Sequence, residues 1–506
     1  MLPELHVILR SLMSTLALLA FAQTANADTP RPRRSASKQA ELGQFMTPDT
    51  IANFMAAQFG NLDLPSIRLL DAGAGRGALS AAFTRRWSAS ADPDARLAID
   101  ASEIDLEILE ALHHAASRWE RDHRIDATVL PGDFITMAVE RLRRRENKYT
   151  HAILNPPYKK IASRSAARSA LASVGIETVN LYSGFVALAL KLLASDGELV
   201  AIIPRSFCNG PYYRSFRNLI LDQASIESIH LFEARDKAFA TDSVLQENII
   251  IRLRKGGQQG NVLITSSRDA TFANVERRTV SFDRIVLTGD RERFIHIPVT
   301  ESGSALTEIE AFRSSLASLD VAVSTGPVID FRIKRHLRTM PEAGNVPLLY
   351  PGHFTGGQLE WPRRDFRKAN ALVLNAETKR WVYPPGFYVV VRRFSSKEEK
   401  RRIVAHVVDP ADLPHTPYGF ENHLNVFHRN REPLPERVAY GLATYLNAEL
   451  VDNWFRQFNG HTQVNATDLR SIPYPDITLL LEFGSWRKSH LEATAAEIDA
   501  RVGQLQ

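Results

Sequence analysis

Residues 67–78 read Ile-Arg-Leu-Leu-Asp-Ala-Gly-Ala-Gly-Arg-Gly-Ala, an apolar run followed by a turn that holds Gly73, Gly75 and Gly77. The pattern predicts a strand that enters a helix through a glycine turn, where backbone amides can approach a nucleotide-like ligand closely. Gly73, Gly75 and Ala78 also satisfy the relaxed dinucleotide fingerprint. The stretch alone therefore leaves three interpretations open: a methyl-donor site, a dinucleotide site and a structural turn.

From this stretch onwards, short apolar runs alternate with helical patterns. Strands interleaved with helices predict βαβ units. We therefore expect an α/β fold with a doubly wound, Rossmann-like, mostly parallel sheet. The predicted strands are residues 67–71, 97–102, 127–130, 152–154, 199–203, 226–232 and 248–253.

Three segments are expected along the 506-residue chain. Residues 1–40 are interpreted as an N-terminal helix followed by a basic linker that is rich in Pro, Arg and Ser. Residues 41–255 are the predicted catalytic α/β domain, and residues 256–506 are a predicted α+β domain. The boundary is placed after Lys255 because the glycine-rich run at 256–260 breaks the alternation of strands and helices.

The charge balance favours a partner that carries phosphates. The net charge is +5 and the pI is near 9.2, although 62 basic against 57 acidic residues is a mild excess. The single cysteine, Cys208, excludes an intramolecular disulfide framework. Beyond the N-terminus no run approaches the roughly 18 apolar residues of a membrane span, so no membrane partner is expected.

Acidic residues after the first three strands favour the methyl donor. Asp71 directly precedes the glycines, where its carboxylate could face the ammonium group of S-adenosyl-L-methionine but would repel a pyrophosphate. Glu103 could accept both ribose hydroxyls, while Asp133 and Phe134 could bond the adenine amine and cover its ring. Each acid taken singly also fits a surface loop or a helix cap. Together they predict a pocket for this cofactor.

The fourth predicted strand runs into Asn155-Pro156-Pro157-Tyr158, at the sheet edge where α/β proteins bind ligands. An exocyclic amine on an aromatic ring is a poor nucleophile because its lone pair is delocalised. If the Asn155 side-chain oxygen and the Pro156 carbonyl each accept one amine hydrogen, the lone pair is released to attack. The prolines stiffen the turn, and Tyr158 would stack on the base. A base inside a duplex must be extruded to reach such a pocket; a proline turn without chemistry is the alternative.

The sequence predicts no metal site. Methyl transfer from an activated sulfonium depends on in-line positioning more than on a strong base. No clustered Cys and His ligand set is evident, and His113 and His114 are expected on an exposed helix. We find neither a nucleophile elbow nor a P-loop.

With these residues the chain resembles the γ-type N6-adenine DNA methyltransferases of type II restriction-modification systems, in the Eco57I-like and PstI-like groups. Residues 43–48 resemble the N-terminal donor-binding motif of that family, in which Thr47 and Pro48 help to enclose the methionine moiety. The glycine, acidic and catalytic motifs follow in the family's order. Residues 236–240 resemble a later motif whose aromatic side chain sandwiches the flipped base, which makes Phe239 a candidate; an ordinary core phenylalanine is the alternative.

The resemblance implies a monomeric, site-specific DNA adenine-N6 methyltransferase that acts on double-stranded DNA and is paired with a cognate restriction endonuclease. Residues 256–506 would be its target-recognition domain. Segments 350–354, 361–364, 392–394 and 422–425 mix aromatic, basic and amide side chains that can read bases or hold phosphate. Residues 460–470 resemble a segment that recurs after the recognition region.

Other functions remain open from the sequence. A methyltransferase of a protein glutamine or of RNA could use the same tetrapeptide, because a side-chain amide also presents a conjugated nitrogen. A dinucleotide oxidoreductase would leave the tetrapeptide without a purpose, and the third alternative is a noncatalytic recognition subunit or a fused nuclease. Residues 10–27 also fit a secretory signal, but DNA and the methyl donor are intracellular, so we expect a cytoplasmic protein.

Overall fold

The computed structural model of the chain describes residues 46–60, 62–146, 149–232, 247–298, 309, 311–396, 398–460 and 462–504. The expectations for residues 1–40 and for Phe239 lie outside these residues. The chain divides into two compact units, residues 1–299 and 300–506. None of the helices in the described ranges has the length and apolar character needed to cross a bilayer.

A nine-stranded sheet forms the centre of the first unit. All seven predicted strands are confirmed within it, and two further strands follow. The strands are β1 (Ser66–Ala72), β2 (Arg96–Glu103), β3 (Ile125–Pro131), β4 (Tyr149–Leu154), β5 (Leu193–Pro204), β6 (Ala224–Phe232), β7 (Asn248–Lys255), β8 (Asn261–Ser267) and β9 (Val275–Ser281).

The order of the sheet is β3-β2-β1-β4-β5-β7-β6-β8-β9. Strands β1 to β5 pair in parallel with one another, whereas β7 lies antiparallel between β5 and β6. The predicted doubly wound, mostly parallel sheet is therefore confirmed. The strand order reverses between β1 and β4, because β2 and β3 continue on one side of β1 while β4 starts the other side. The carboxyl ends of β1 and β4 flank the crevice where ligands of such sheets bind.

Helices cover both faces of the sheet. They are α1 (Asp49–Ala57), α2 (Ala78–Ser90), α3 (Leu106–Trp119), α4 (Phe134–Arg143), α5 (Ala166–Ser173), α6 (Leu181–Leu192), α7 (Arg214–Gln223) and the short α8 (Phe282–Ile285).

Two apolar cores result, one on each face of this sheet. The first contains Ile51 and Phe83 from α1 and α2, and the second contains Ile135 and Val186 from α4 and α6. Because β5 contributes buried side chains to both cores, its second half is a continuous apolar run rather than an alternating one.

The sheet continues beyond the predicted domain boundary. The glycine-rich run at 256–260 separates β7 from β8, but β8 pairs in parallel with β6 and β9 pairs with β8. The run therefore ends a strand without ending the sheet. The division between the two compact units falls between residues 299 and 300, later than the boundary placed after Lys255.

The second unit combines short strands with helices. Its strands form a four-stranded sheet in the order β10-β20-β17-β18, a five-stranded sheet in the order β11-β15-β12-β19-β16, and the pair β13-β14. The strands are β10 (Ala322–Thr325), β11 (Leu337–Arg338), β12 (Asn345–Leu349), β13 (Phe354–Thr355), β14 (Gln358–Leu359), β15 (Ala371–Val373), β16 (Val382–Tyr383), β17 (Tyr388–Arg392), β18 (Ala405–Val408), β19 (Tyr418–Phe420) and β20 (Leu424–His428).

Helices follow these strands, so an α+β second unit is confirmed. They are α9 (Glu436–Leu446), α10 (Glu449–Phe458), α11 (Ala466–Arg470), α12 (Ile477–Ser489) and α13 (Ala495–Gly503). Helices α9 and α12 pack closely because Gly441 and Gly484 face the backbone of the opposite helix, where a Cβ atom would collide.

Candidate active site

The candidate site lies at the carboxyl ends of β1 and β4. These strands pair in parallel, with Asp71 opposite Ile153. The glycine turn that follows β1 and the Asn155-Pro156-Pro157-Tyr158 turn that follows β4 therefore leave the sheet side by side. The fold thus brings the two strongest sequence motifs to one edge, although they are about eighty residues apart in the chain.

The glycine turn has a left-handed backbone at each of its three glycines, with φ of +77° at Gly73, +57° at Gly75 and +83° at Gly77. Residues with a Cβ atom rarely adopt this conformation, which explains the glycines. The amides of Gly73 and Ala74 donate to the Ser102 carbonyl at 3.0 and 2.8 Å. The turn is thereby attached to the end of β2.

Asp71 is completely buried at the end of β1. Its Oδ2 accepts hydrogen bonds from the Ser80 hydroxyl at 2.6 Å and from the Ser80 amide at 3.2 Å. No partner for Oδ1 is found among the residues that the structure describes. Burial raises the pKa of Asp71 to about 7 despite the two Ser80 bonds. Asp71 Oδ1 is therefore the oxygen that could bind a cation at this site.

Glu103 is also buried, at the end of β2. Its Oε2 accepts the amide hydrogen of Gly75 at 2.9 Å, and its Oε1 accepts those of Ile104 and Asp105 at 2.9 and 2.8 Å. The carboxylate thus holds the glycine turn in place.

Asp133 and Phe134 stand where β3 leads into α4. Asp133 caps the helix, because its carboxylate accepts hydrogen bonds from the amides of Ile135 and Thr136 at 3.3 and 3.0 Å. Phe134 is buried, and its ring lies 4.9 Å from that of Phe185 in α6. A Cβ atom on Gly73 would meet Phe185 Cε1 at 3.7 Å. The two phenylalanine rings therefore extend from α4 to the floor of the glycine turn.

Asn155 joins the tetrapeptide to the segment before α1. Its Nδ2 donates to Thr47 Oγ1 at 3.0 Å, and its Oδ1 accepts a hydrogen bond from the Tyr158 hydroxyl at 3.2 Å. The Tyr158 hydroxyl also lies 3.1 Å from the Ile202 carbonyl. Burial raises the pKa of this phenol well above its usual value, which keeps it protonated and able to donate.

The segment that holds Thr47 and Pro48 also covers the glycine turn. A Cβ atom built on Gly75 would come within 3.5 Å of Met46 Sδ, and Pro48 is the N-cap of α1. The structure therefore brings residues 46–48 to both of the other motifs, Met46 to the glycine turn and Thr47 to Asn155.

Sequence reasoning missed two contributors to this site. Ser80 donates a hydrogen bond to Asp71. It lies nine residues after Asp71, at the start of α2, and this polar residue just after the glycine turn is the signal that could have identified it. Phe185 lies in an apolar helix that is buried on nearly all sides, so nothing local marks it as a site residue. His113 and His114 are exposed on α3, as predicted.

The sequence of the chain is similar to one protein family and to two characterised methyltransferases. Residues 62–239 match the family described as Eco57I restriction-modification methylase. The chain is 47% identical over 476 residues to the Type II methyltransferase M.BsuBI of Bacillus subtilis, covering 92% of this chain and 94% of that protein. It is 41% identical over 469 residues to the Type II methyltransferase M.PstI of Providencia stuartii, covering 90% and 92%.

A solved structure shares the fold at lower identity. The Type IIL restriction-modification enzyme MmeI in complex with DNA aligns with a TM-score of 0.54 and 12% identity, covering 90% of this chain and 72% of that one. The sequence relatives carry the assignment, because each is matched over nearly its whole length. The chain therefore belongs to the family of Type II restriction-modification methyltransferases that includes M.BsuBI and M.PstI.

Proposed function

We propose that the protein transfers a methyl group from S-adenosyl-L-methionine to the N6 amine of an adenine that is flipped out of double-stranded DNA. The observation that carries this proposal is the placement of Asn155. Its carboxamide stands at the carboxyl end of β4, beside the glycine turn, and is held by Thr47 through Nδ2.

The residues present fit the proposed cofactor. The buried Asp71 carboxylate has an unpartnered Oδ1 among the described residues, and a donor ammonium group would satisfy it. In this proposal the glycine turn borders the methionine and ribose parts, and Glu103, which accepts the Gly75 amide hydrogen, is the candidate acceptor for the ribose hydroxyls. Phe134 and Phe185 supply an apolar wall for an adenine ring, and Asp133 is the candidate partner of its amine. When bound, S-adenosyl-L-methionine supplies an electrophilic methyl group on its sulfonium.

Asn155 and Pro156 are the proposed catalytic acceptors. The Asn155 Oδ1 and the Pro156 carbonyl oxygen would each accept a hydrogen bond from one N–H of the target amine. These two bonds localise the nitrogen lone pair. The rigid Pro156-Pro157 turn holds both oxygens with little reorganisation. In the structure, the Tyr158 hydroxyl donates a hydrogen bond to Asn155 Oδ1. An incoming amine would replace this hydroxyl, which can retain the Ile202 carbonyl as its acceptor.

Base flipping is proposed because the tetrapeptide needs an unstacked amine. In this proposal the Tyr158 ring stacks on the extruded base and offsets part of the unpairing cost. Phe239 remains the proposed second aromatic of this sandwich and lies outside the described residues.

The second unit is the proposed target-recognition part. Residues 331–402 hold sixteen Lys and Arg against six Asp and Glu, so this stretch carries ten net positive charges. Such an excess suits the phosphates of DNA. The relative MmeI was solved in complex with DNA. We further propose that the enzyme acts as a monomer beside a cognate endonuclease that cleaves the same unmethylated site.

The decisive experiment identifies the methylated base. Purified protein is incubated with methyl-labelled S-adenosyl-L-methionine and unmethylated plasmid, and the DNA is digested to nucleosides for mass spectrometry. The expected label is N6-methyladenine at one sequence, mapped by sequencing, with the Asn155→Ala protein as the background control. Label on cytosine, on RNA or on a polypeptide would overturn the proposal.

A further inference from the structure

Three segments that are far apart in the sequence meet at one surface of the second unit. The Arg393 amide donates to the His423 carbonyl at 2.7 Å, and the Val464 amide donates to the Arg393 carbonyl at 2.7 Å. Phe394 forms an antiparallel bridge with Gln463. The residues just after β17, just before β20 and just before α11 are therefore bound together by backbone hydrogen bonds. We call Arg393, Phe394, His423 and Gln463 the three-segment patch.

The patch presents an aromatic side chain to solvent. Phe394 is 46% exposed, although most phenylalanines in the described residues are buried. Its ring centroid lies 5.0 Å from that of His423, whose side chain is 45% exposed. The patch therefore offers aromatic, apolar surface to a ligand.

A buried carboxylate fixes the histidine. Glu421 is completely buried, and its two oxygens accept hydrogen bonds from His423 Nδ1 at 2.6 Å and from the His423 amide at 2.9 Å. The Nδ1 hydrogen therefore points inwards, and Nε2 is at the opposite, outer edge of the ring. A buried carboxylate is costly unless it is bonded; here it is used to orient an exposed ring, as carboxylates orient metal-binding histidines.

The remaining two side chains carry groups that read bases. The Arg393 guanidinium lies 3.5 Å from Gln463 Oε1 and 3.5 Å from the Asn422 carbonyl. These contacts are long for hydrogen bonds, so both side chains can turn to better partners. Gln and Arg pair bidentately with adenine and guanine edges, and Phe contacts the thymine methyl group.

We propose that the three-segment patch contacts base edges in the DNA duplex and sets part of the target sequence. The inference rests on the proposed function, because it takes double-stranded DNA as the substrate. Charge supports DNA as the partner, since residues 331–402, which include Arg393 and Phe394, carry the ten net positive charges noted above. The rigid backbone pairing under the patch would keep its side chains in register with successive base pairs.

The test compares specific with non-specific binding. Full-length protein is titrated into two fluorescent duplexes of equal length, one with the methylated sequence that the wild-type protein defines and one with that sequence shuffled. The variants are Phe394→Ala, His423→Ala and Gln463→Ala. Matched controls are His490→Ala, an exposed histidine stacked on Trp486, and Leu491→Ala, which is 56% exposed. Thermal unfolding checks that each variant is folded.

Each patch variant is expected to lower the ratio of specific to non-specific affinity about tenfold, as the loss of a base contact does. The controls should leave the ratio unchanged, and affinity for the shuffled duplex should be unaffected in all five proteins. Discrimination within twofold of wild type in the patch variants, or equal loss on both duplexes, would overturn the inference. If the wild-type protein methylates no adenine, the proposed function fails instead, so the two failures are distinguishable.

Discussion

Thr47 Oγ1 accepts a hydrogen bond from Asn155 Nδ2 at 3.0 Å, across 108 residues of sequence. A carboxamide has one oxygen and one nitrogen, so engaging Nδ2 also decides where Oδ1 points. In the proposed mechanism Oδ1 must accept from the target amine. Thr47 is therefore expected to position the catalytic amide as well as to border the cofactor.

Replacing Thr47 by valine should lower kcat by about fivefold to tenfold, because one hydrogen bond contributes about 1 kcal/mol. KM for DNA should change little, because Thr47 is not proposed to touch DNA. Thr47→Ser keeps the hydroxyl and should retain most of the activity. Single-turnover methylation assays measure these rates. Equal loss in the serine and valine variants would argue against a positioning hydroxyl.

Asn155→Ala should reduce methyl transfer by about a hundredfold to a thousandfold, because it removes one preorganised acceptor. Cofactor affinity, measured by calorimetry, should stay within a few fold of wild type. Asn155→Asp keeps an oxygen but loses the Nδ2 bond to Thr47, so its activity should lie between the two. Normal turnover in the alanine variant would contradict the assigned chemistry.

Tyr158 should act through its ring. Tyr158→Phe removes the hydroxyl that bonds Asn155 Oδ1 and lies near the Ile202 carbonyl, but it keeps the stacking surface. Its kcat should remain within about fivefold of wild type. Tyr158→Ala should lose about 1–3 kcal/mol of base stacking. A fluorescent 2-aminopurine at the target position would report this loss as weaker base extrusion, whereas equal defects in both variants would point to the hydroxyl.

Cofactor affinity should depend on pH through Asp71. Burial raises its pKa to about 7 in the cofactor-free protein, and a bound ammonium group would favour the ionised form. Binding must then release a proton below pH 7, so affinity should rise roughly eightfold from pH 6.0 to 7.5. Calorimetry in buffers of different ionisation enthalpy would detect the proton.

The same shift has a consequence for stability. A carboxyl group whose pKa is raised by folding stabilises the protein below its unfolded pKa and loses that contribution as pH rises through about 7.

Asp71→Asn tests the assignment of the proton to Asp71. This variant should bind the cofactor more weakly, and its cofactor affinity should not depend on pH between 6.0 and 7.5. A pH dependence that survives in the asparagine variant would assign the proton to another group.

Gly77→Ala should destabilise the first unit by about 2–4 kcal/mol. Part of the cost is a left-handed backbone at φ +83°, and part is overpacking, because the new Cβ would lie 2.8 Å from the Trp119 ring. Gly175→Ala is the matched control, since φ is +73° there and nothing lies within 4 Å. Urea titration should give only the backbone part for Gly175. Equal costs at both positions would exclude the Trp119 contact as a cause.

The parallel part of the sheet could be predicted from the sequence because each of its strands is an apolar run between turn signals. The predicted run 199–203 marks the part of β5 that is buried on both faces, whereas the half-exposed residues at its start gave no such signal. Strand β9 was missed for a similar reason, and strand β8 for a different one. The pattern of β9 is Val-Glu-Arg-Arg-Thr-Val-Ser, with mostly exposed side chains, and a glycine-rich run precedes β8.

The candidate site was predictable where a motif follows a strand directly, as at Asp71, Glu103 and Asn155. Strand pairing then brings such residues together without further information. The link from Asn155 to Thr47 depends on how the segment before α1 returns over the sheet, which no local pattern encodes. Phe185 depends likewise on the packing of α6 against the glycine turn.

The two outermost strands of the large sheet, β3 and β9, carry Asp126 and Pro131 in one case and Glu276 and Arg277 in the other. An unpaired strand edge is a template for strands of other molecules, and charges or proline on it oppose that pairing. These residues thus oppose aggregation through the edges of the sheet, and they do so from outside the two apolar cores. If Glu276 and Arg277 were both changed to valine, β9 would be an apolar edge strand that can pair with strands of other molecules. We expect this double variant to aggregate into fibres.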